Sequence, residues 1–333
     1  MIVRNFLAQY NIGVIKRKGE KTMKKILTLL LSCVLMVCGA IGLTACGGEK
    51  NITVVAREQG SGTREAFDKV ITDGNGNYLE MKVDGKKVYK TTSNADIQKE
   101  TGNVMSKVAS DKNAIGYISL GSVNNTIKVV NVNGVAPSSE TVLDGSYAIQ
   151  RPFVIMTSST VELTDIAADF MLYLKSEAAE THANEAGCIY LADPARRANE
   201  GETEIPFVEY TVKSSLPSGG KITVNGSTSM EKFIKKAMSG YASLYGRTAD
   251  EIFTLDLQGS SVGKTAVQND KNGNVIGLSS ASVKESGINS FNVCLDAVAV
   301  IVNKANENIN DLTIADLYNI FSGKVTKFSE IAG

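Results

Sequence analysis

The sequence predicts an α/β fold, and three observations carry that prediction. Short β-branched apolar runs alternate with stretches whose apolar residues fall at helical spacing. Several strand-to-helix junctions are rich in Gly, Ser and Thr. The 333 residues suffice for two domains of ordinary size, and 43% hydrophobic residues suit a chain with a sizeable core.

The N-terminal stretch reads as a leader over residues 1–45. Residues 1–22 fit no targeting class, so Met23 is taken as the start; codons for Lys18-Gly19-Glu20 can hold a ribosome-binding sequence just upstream. From Met23, Lys24 and Lys25 precede an apolar run from Ile26 to Leu43, the charged and apolar regions of a signal peptide. Leu43-Thr44-Ala45-Cys46-Gly47 looks like a bacterial lipobox. Cleavage there makes Cys46 the first residue and the lipid-bearing one, with 46–50 as a tether. The alternative is a membrane anchor of about 18 residues, just long enough to span. Either reading puts the body outside the cytoplasmic membrane, lipid-anchored to its outer face in the preferred case.

Ile52 to Ala56 is a short apolar run that reads as a buried strand, and Ala66, Phe67, Val70 and Ile71 fall at helical spacing. Between them lies Arg57-Glu58-Gln59-Gly60-Ser61-Gly62-Thr63. The glycines permit a tight turn, and the hydroxyls sit where a helix start needs caps. Free N–H groups and the helix dipole make that start an anion site, and Arg57 can add a cationic fork. Asp73 to Lys90 reads as a surface loop or hairpin. Asn94 to Ser110 is expected as a helix, with Ile97, Val104, Met105 and Val108 on its apolar side. Strands are expected over 114–120 and 127–132, then a long extended run over 147–156 that Pro152 interrupts, as at a sheet edge or a crossing between domains. Helices over 163–174 and 177–185 and a strand over 188–191 follow. Residues 192–220 carry Pro194, Pro206, Pro217 and Gly219-Gly220 and read as a linker. Beyond it, a strand leads into Gly226-Ser227-Thr228-Ser229-Met230 and a helix from Glu231 to Tyr241. Two more turns, Gly259-Ser260-Ser261 and Ser279-Ser280, precede a buried strand over 298–303 and a helix over 312–321.

These pieces resemble the phosphate-binding substrate-binding proteins of bacterial phosphate ABC importers. The Arg-x-x-x-Ser-Gly-Thr run at 57–63 is similar to that family's signature, and "AIGYISLGSV" and "GSYAIQRPFVIMT" resemble its distal half. Residues 221–230, 255–263 and 274–280 resemble its opening strand and its three phosphate loops. The family order runs from "FSGKVTKFSEIAG" directly into the arginine motif, whereas here the first stands at 321–333 and the second at 51–67. The chain thus reads as a circular permutation, with 192–220 joining the usual termini; a fragment of a tandem duplication is the rival explanation.

The resemblance implies a two-lobe periplasmic-binding-protein-like (type II) fold with two crossover strands. One lobe would combine 51–152 with 304–333, and the other would span 153–303. It implies as phosphate ligands Arg57, Ser61, Gly62, Thr63, Ser229, Met230 through its backbone, Ser260 and Ser280, with no cofactor. It implies inorganic phosphate as cargo and the permease and ATPase subunits of an importer as partners, and no enzymatic activity. There are two departures. Ser280 stands where some members carry an aspartate that accepts the phosphate proton, so rejection of sulfate is weakened. Gln59 stands where some carry an acid, leaving Arg57 less neutralised.

Composition excludes several other classes. Residues 1–45 hold seven Lys/Arg and one Glu, so the remaining 28 basic and 34 acidic residues net −6, which gives no support for nucleic-acid binding. With His182 as the one histidine, zinc sites and histidine-based triads lack support. Gly259-Ser260-Ser261-Val262-Gly263-Lys264-Thr265 has three residues between its glycines where a P-loop needs four. Cys188 and Cys294 read as buried free thiols, a disulfide being the alternative. The competing functions are binding of another oxyanion, sulfate or molybdate, and a phosphate sensor or adhesin uncoupled from transport.

Overall fold

The computed structural model describes residues 50–191 and 208–331. The leader over 1–45, Cys46 with most of its tether, and positions 192–207 of the linker lie outside the described residues. No described helix is long and apolar enough to cross a membrane.

The chain opens with β1 (Thr53–Arg57), a turn, and α1 (Gly62–Val70). Hairpin strands β2 (Glu80–Val83) and β3 (Lys86–Tyr89) follow, then β4 (Asp96–Gln98), α2 (Thr101–Ser110), β5 (Ala114–Ser119), β6 (Ile127–Val132) and the short α3 (Ser139–Leu143). β7 (Gln150–Ser158) leaves this region. It leads to α4 (Asp165–Leu174), α5 (Glu180–Glu185), β8 (Ile189–Tyr190), β9 (Ile222–Gly226) and α6 (Glu231–Leu244). Next come α7 (Ala249–Ile252), β10 (Phe253–Asp256), α8 (Ser260–Gln268) and β11 (Val275–Ser279). The 16-residue β12 (Ile288–Asn303) returns to the first region, which β13 (Asp311–Leu312) and α9 (Ile314–Phe321) complete.

The main sheet runs β10-β9-β11-β7-β12-β5-β1-β4. At one end β9 pairs parallel with β10 and β11, and at the other β1 pairs parallel with β4 and β5. The two long central strands are antiparallel to each other from Ile288↔Ser158 to Ala297↔Gln150. β12 then continues as the partner of β5 and β6 through Val298–Asn303. These are the two crossover strands of the expected fold. Pro152 sits within that ladder, opposite Leu295, so the crossing and not the edge explains it.

Two main cores flank the crossing. One gathers Phe153, Ile155, Phe170, Val224, Phe233, Tyr241, Ile276 and Cys294. The other gathers Phe67, Tyr117, Ile149, Leu295, Val298, Val300 and Phe321. In the second, the Phe67 and Tyr117 rings stack with centroids 4.1 Å apart, and Phe321 meets Phe67 edge-on. β12 is therefore shared: Val293 and Cys294 serve one core and Leu295, Ala297, Val298, Val300 and Val302 the other. Between the cores, Arg151 and Asp296 form a fully buried ion pair with Nη2–Oδ2 at 2.9 Å.

One expected helix begins later than its spacing predicts. Residues 96–98 form β4 alongside β1, and the helix starts at Thr101. Ile97 is the reason: its apolar side chain fits the helical period but is exposed, while Val104 and Val108 are the apolar residues the helix buries. Cys188 and Cys294 are buried free thiols, as expected.

Candidate functional site

The site forms where β1, β9 and the loop after β10 lead into helices, and where β11 ends in the Ser280 turn, which runs on into β12 with no helix between them. Arg57, the last residue of β1, is 2% exposed. The β1–β4 register sets Arg57 opposite Gln98, so its Nε donates to the Gln98 carbonyl and its Nη2 to that of Lys99, at 3.2 and 2.7 Å. Glu58 forks onto the same two nitrogens at 3.0 and 3.1 Å. The expectation that Gln59 leaves Arg57 less neutralised is thus corrected: the adjacent Glu58 supplies the acid. Nη1 alone turns inward, to the Thr101 hydroxyl at 3.4 Å.

Gly60, at φ +93°, turns the chain from β1 into α1. Ser61 takes the N-cap position, its Oγ accepting from Arg64 N. Gly62 follows in a close-packed place. A β-carbon there would lie 2.6 Å from both Ser260 Oγ and Ser280 Oγ, so only glycine lets the two sides approach. Thr63 Oγ1 then meets Ser229 Oγ at 2.9 Å.

The facing turns are built the same way. Ser229 lies in a single 3-10 turn between β9 and α6. Ser260 opens α8, directly after the left-handed Gly259. Its Oγ accepts from Ser280 N at 3.1 Å and lies 3.3 Å from Ser280 Oγ, which also accepts from Ser227 Oγ at 2.9 Å. Across the boundary, Ser261 N donates to the Gly60 carbonyl at 3.2 Å. The hydroxyls of Thr63, Ser229, Ser260 and Ser280 and the backbone of Gly62 are thereby brought together, with Arg57 behind them. Met230 differs: its N–H already donates to the Ser227 carbonyl at 3.2 Å and its side chain lies in the core.

Three hydroxyls here escaped the sequence reading. Ser227 and Thr228 lie inside a recognised turn, where cap spacing could have flagged them. Thr101 belongs to no motif; its hydroxyl lies 3.2 Å from Thr228 Oγ1 and 3.4 Å from Ser229 Oγ.

Chemically, the cluster is a set of neutral donors, all but Ser280 at or beside helix starts, backed by one neutralised cation. Such a set suits a dehydrated tetrahedral oxyanion: each donor can turn from a neighbouring hydroxyl to the anion and gain a charge-assisted bond. Behind it, Arg64 ties the Arg57 carbonyl, at 2.8 Å, to the buried Asp68, at 3.0 Å. Burial pushes the Asp68 carboxyl up to about 6, against the pull of Arg64. Among the described residues no cluster of His, Cys, Asp and Glu could hold a metal ion.

The profile of the PBP superfamily domain matches residues 45–178 and 211–333. The chain is 35% identical to the phosphate-binding protein PstS 2 of Streptococcus pneumoniae over 92% of this chain and 99% of that one. It is 30% identical to PstS 2 of Streptococcus agalactiae over 92% and 98%. The crystal structure of a phosphate-binding protein of a phosphate ABC transporter from S. pneumoniae superposes with a TM-score of 0.60 at 34% identity, covering 85% of this chain and all of that one. The chain belongs to the PBP superfamily, in the family of the PstS phosphate-binding proteins.

Proposed function

We propose that this chain binds inorganic phosphate between its two lobes and delivers it, outside the cytoplasmic membrane, to the permease and ATPase of an ABC importer. The observation that carries the reading is the meeting of turns far apart in sequence: Thr63 Oγ1 lies 2.9 Å from Ser229 Oγ, Ser260 Oγ lies 3.3 Å from Ser280 Oγ, and Gly62 packs against both Ser260 and Ser280. The proposed ligands are Arg57, Ser61, Gly62, Thr63, Ser229, Ser260 and Ser280; Met230 N–H would have to exchange the Ser227 carbonyl for the anion to join them. The proposed lobes are 51–152 with 304–333, and 153–303, with β12 reaching from one to the other.

The order of these turns is inferred to be a rotation of the family's. Ile52 N donates to the Thr326 carbonyl at 2.7 Å, so the segment that precedes the arginine motif in the family order lies beside it in space here. The other join is anchored by Tyr210, whose hydroxyl donates to the buried Asp169 at 3.0 Å. The near-full-length match to PstS 2 suits an intact rotated chain better than a fragment of two copies. Lipidation at Cys46 would tether the protein, and Cys46→Ser should release it into the medium.

Titration calorimetry of the protein lacking residues 1–45 tests the reading. Phosphate should bind with micromolar or tighter affinity, and Arg57→Ala should abolish detectable binding. Sulfate and molybdate are the competing arms, because the serines around Ser280 provide no carboxylate to demand a proton from the anion. Tighter binding of either than of phosphate would overturn the choice of ligand.

A further inference from the structure

We propose that Thr101 is a further ligand of the oxyanion site, donated by a fourth helix start and placed to link Arg57 to the opposite lobe. The inference rests on the phosphate reading above and deepens it. Thr101 is the first residue of α2, a ten-residue helix whose N-cap, Glu100, makes no side-chain capping bond. The N–H groups of that first turn have no partners within the helix; Gly102 and Asn103 are exposed to water, whereas Thr101 is buried. The Thr101 side chain is 5% exposed and turned into the hydroxyl cluster.

Its position follows from β4. The strand pairs parallel with β1 as far as Gln98, opposite Arg57. The chain then passes Arg57 through the Gln98 and Lys99 carbonyls, which hold Nε and Nη2. Two residues later the helix begins, directly beside the remaining nitrogen. Arg57 Nη1 and Thr101 Oγ1 are 3.4 Å apart. A guanidinium only donates, so the Thr101 oxygen accepts there and its proton is directed elsewhere. Its neighbours in that direction are Thr228 Oγ1 and Ser229 Oγ, both from the opposite lobe. An anion between the lobes would take that proton and the Nη1 proton together. Arg57 is otherwise committed to Glu58 and two carbonyls, so Thr101 occupies the route by which its charge reaches the cleft.

Calorimetry with inorganic phosphate on wild type, Thr101→Val, Thr101→Ser and Thr101→Ala tests this, with apo-protein melting as the structural readout. Valine keeps the shape and removes the hydroxyl; serine keeps the hydroxyl. The expected result is a Kd raised roughly tenfold or more in the valine and alanine variants, and within about threefold of wild type for serine. The valine variant should melt close to wild type in the absence of phosphate. Valine binding within twofold of wild type would overturn the inference. So would a serine variant as weak as valine, which would assign the effect to the methyl group. Wild type that takes up no phosphate would overturn the reading of the whole site, and this inference with it; normal wild-type binding with an unaffected valine variant would sink Thr101 alone.

Discussion

Two residues show how little room the site has. Gly62 lacks the carbon that would strike Ser260 and Ser280 at 2.6 Å. Gly62→Ala should therefore hold the lobes apart and weaken phosphate binding about tenfold or more, as calorimetry would show, while the apo protein still folds. Asp68 lies one layer behind. Its folded carboxyl titrates at about 6 against 3.8 in a free chain, so the folded state holds the proton more tightly. The stability this contributes is complete below about pH 4 and is lost as pH rises through 6. Melting curves of Asp68→Asn should lack that decline between pH 4 and 6, whereas wild type should show it. The residues that the sequence made legible are those in motifs: Arg57 and the turn hydroxyls. Glu58 was hidden because a carboxylate beside an arginine in sequence says nothing of whether it folds back on it. Thr101 was hidden because only the β1–β4 register brings it beside Arg57.

At the scale of elements, β7 and β12 carry the molecule across from one core to the other. Apolar runs over 147–156 and 298–303 were legible as strands, but nothing local gave β12 its 16 residues or divided it between cores. That division is a property of its partners, which change from β7 to β5 and β6 along its length. The same limit explains β4, where Ile97 fits a helix by period and a strand by pairing. The crossing is fixed by Arg151 and Asp296, with Ser119 Oγ donating to the carboxylate at 2.9 Å. Asp296→Asn leaves the Arg151 charge buried without its partner and should cost about 3–5 kcal/mol in denaturant unfolding. An apolar pair of similar volume at both positions should recover most of that loss.

For the molecule as a whole, the central claim is that one anion is held by both proposed lobes, through turns far apart in the chain. The segments over 51–63 and 221–280 share no continuous motif, and each turn alone is an ordinary helix cap. Their meaning comes from meeting: Thr63 with Ser229, Thr101 with Thr228, Gly62 with Ser260 and Ser280. The most direct test is a crystal structure of the protein grown with phosphate. The account predicts one phosphate between the lobes, within hydrogen-bond distance of Arg57, Ser61, Thr63, Ser229, Ser260 and Ser280 of a single molecule. A phosphate bound by one lobe alone, by turns of two different molecules, or outside this cluster would contradict it.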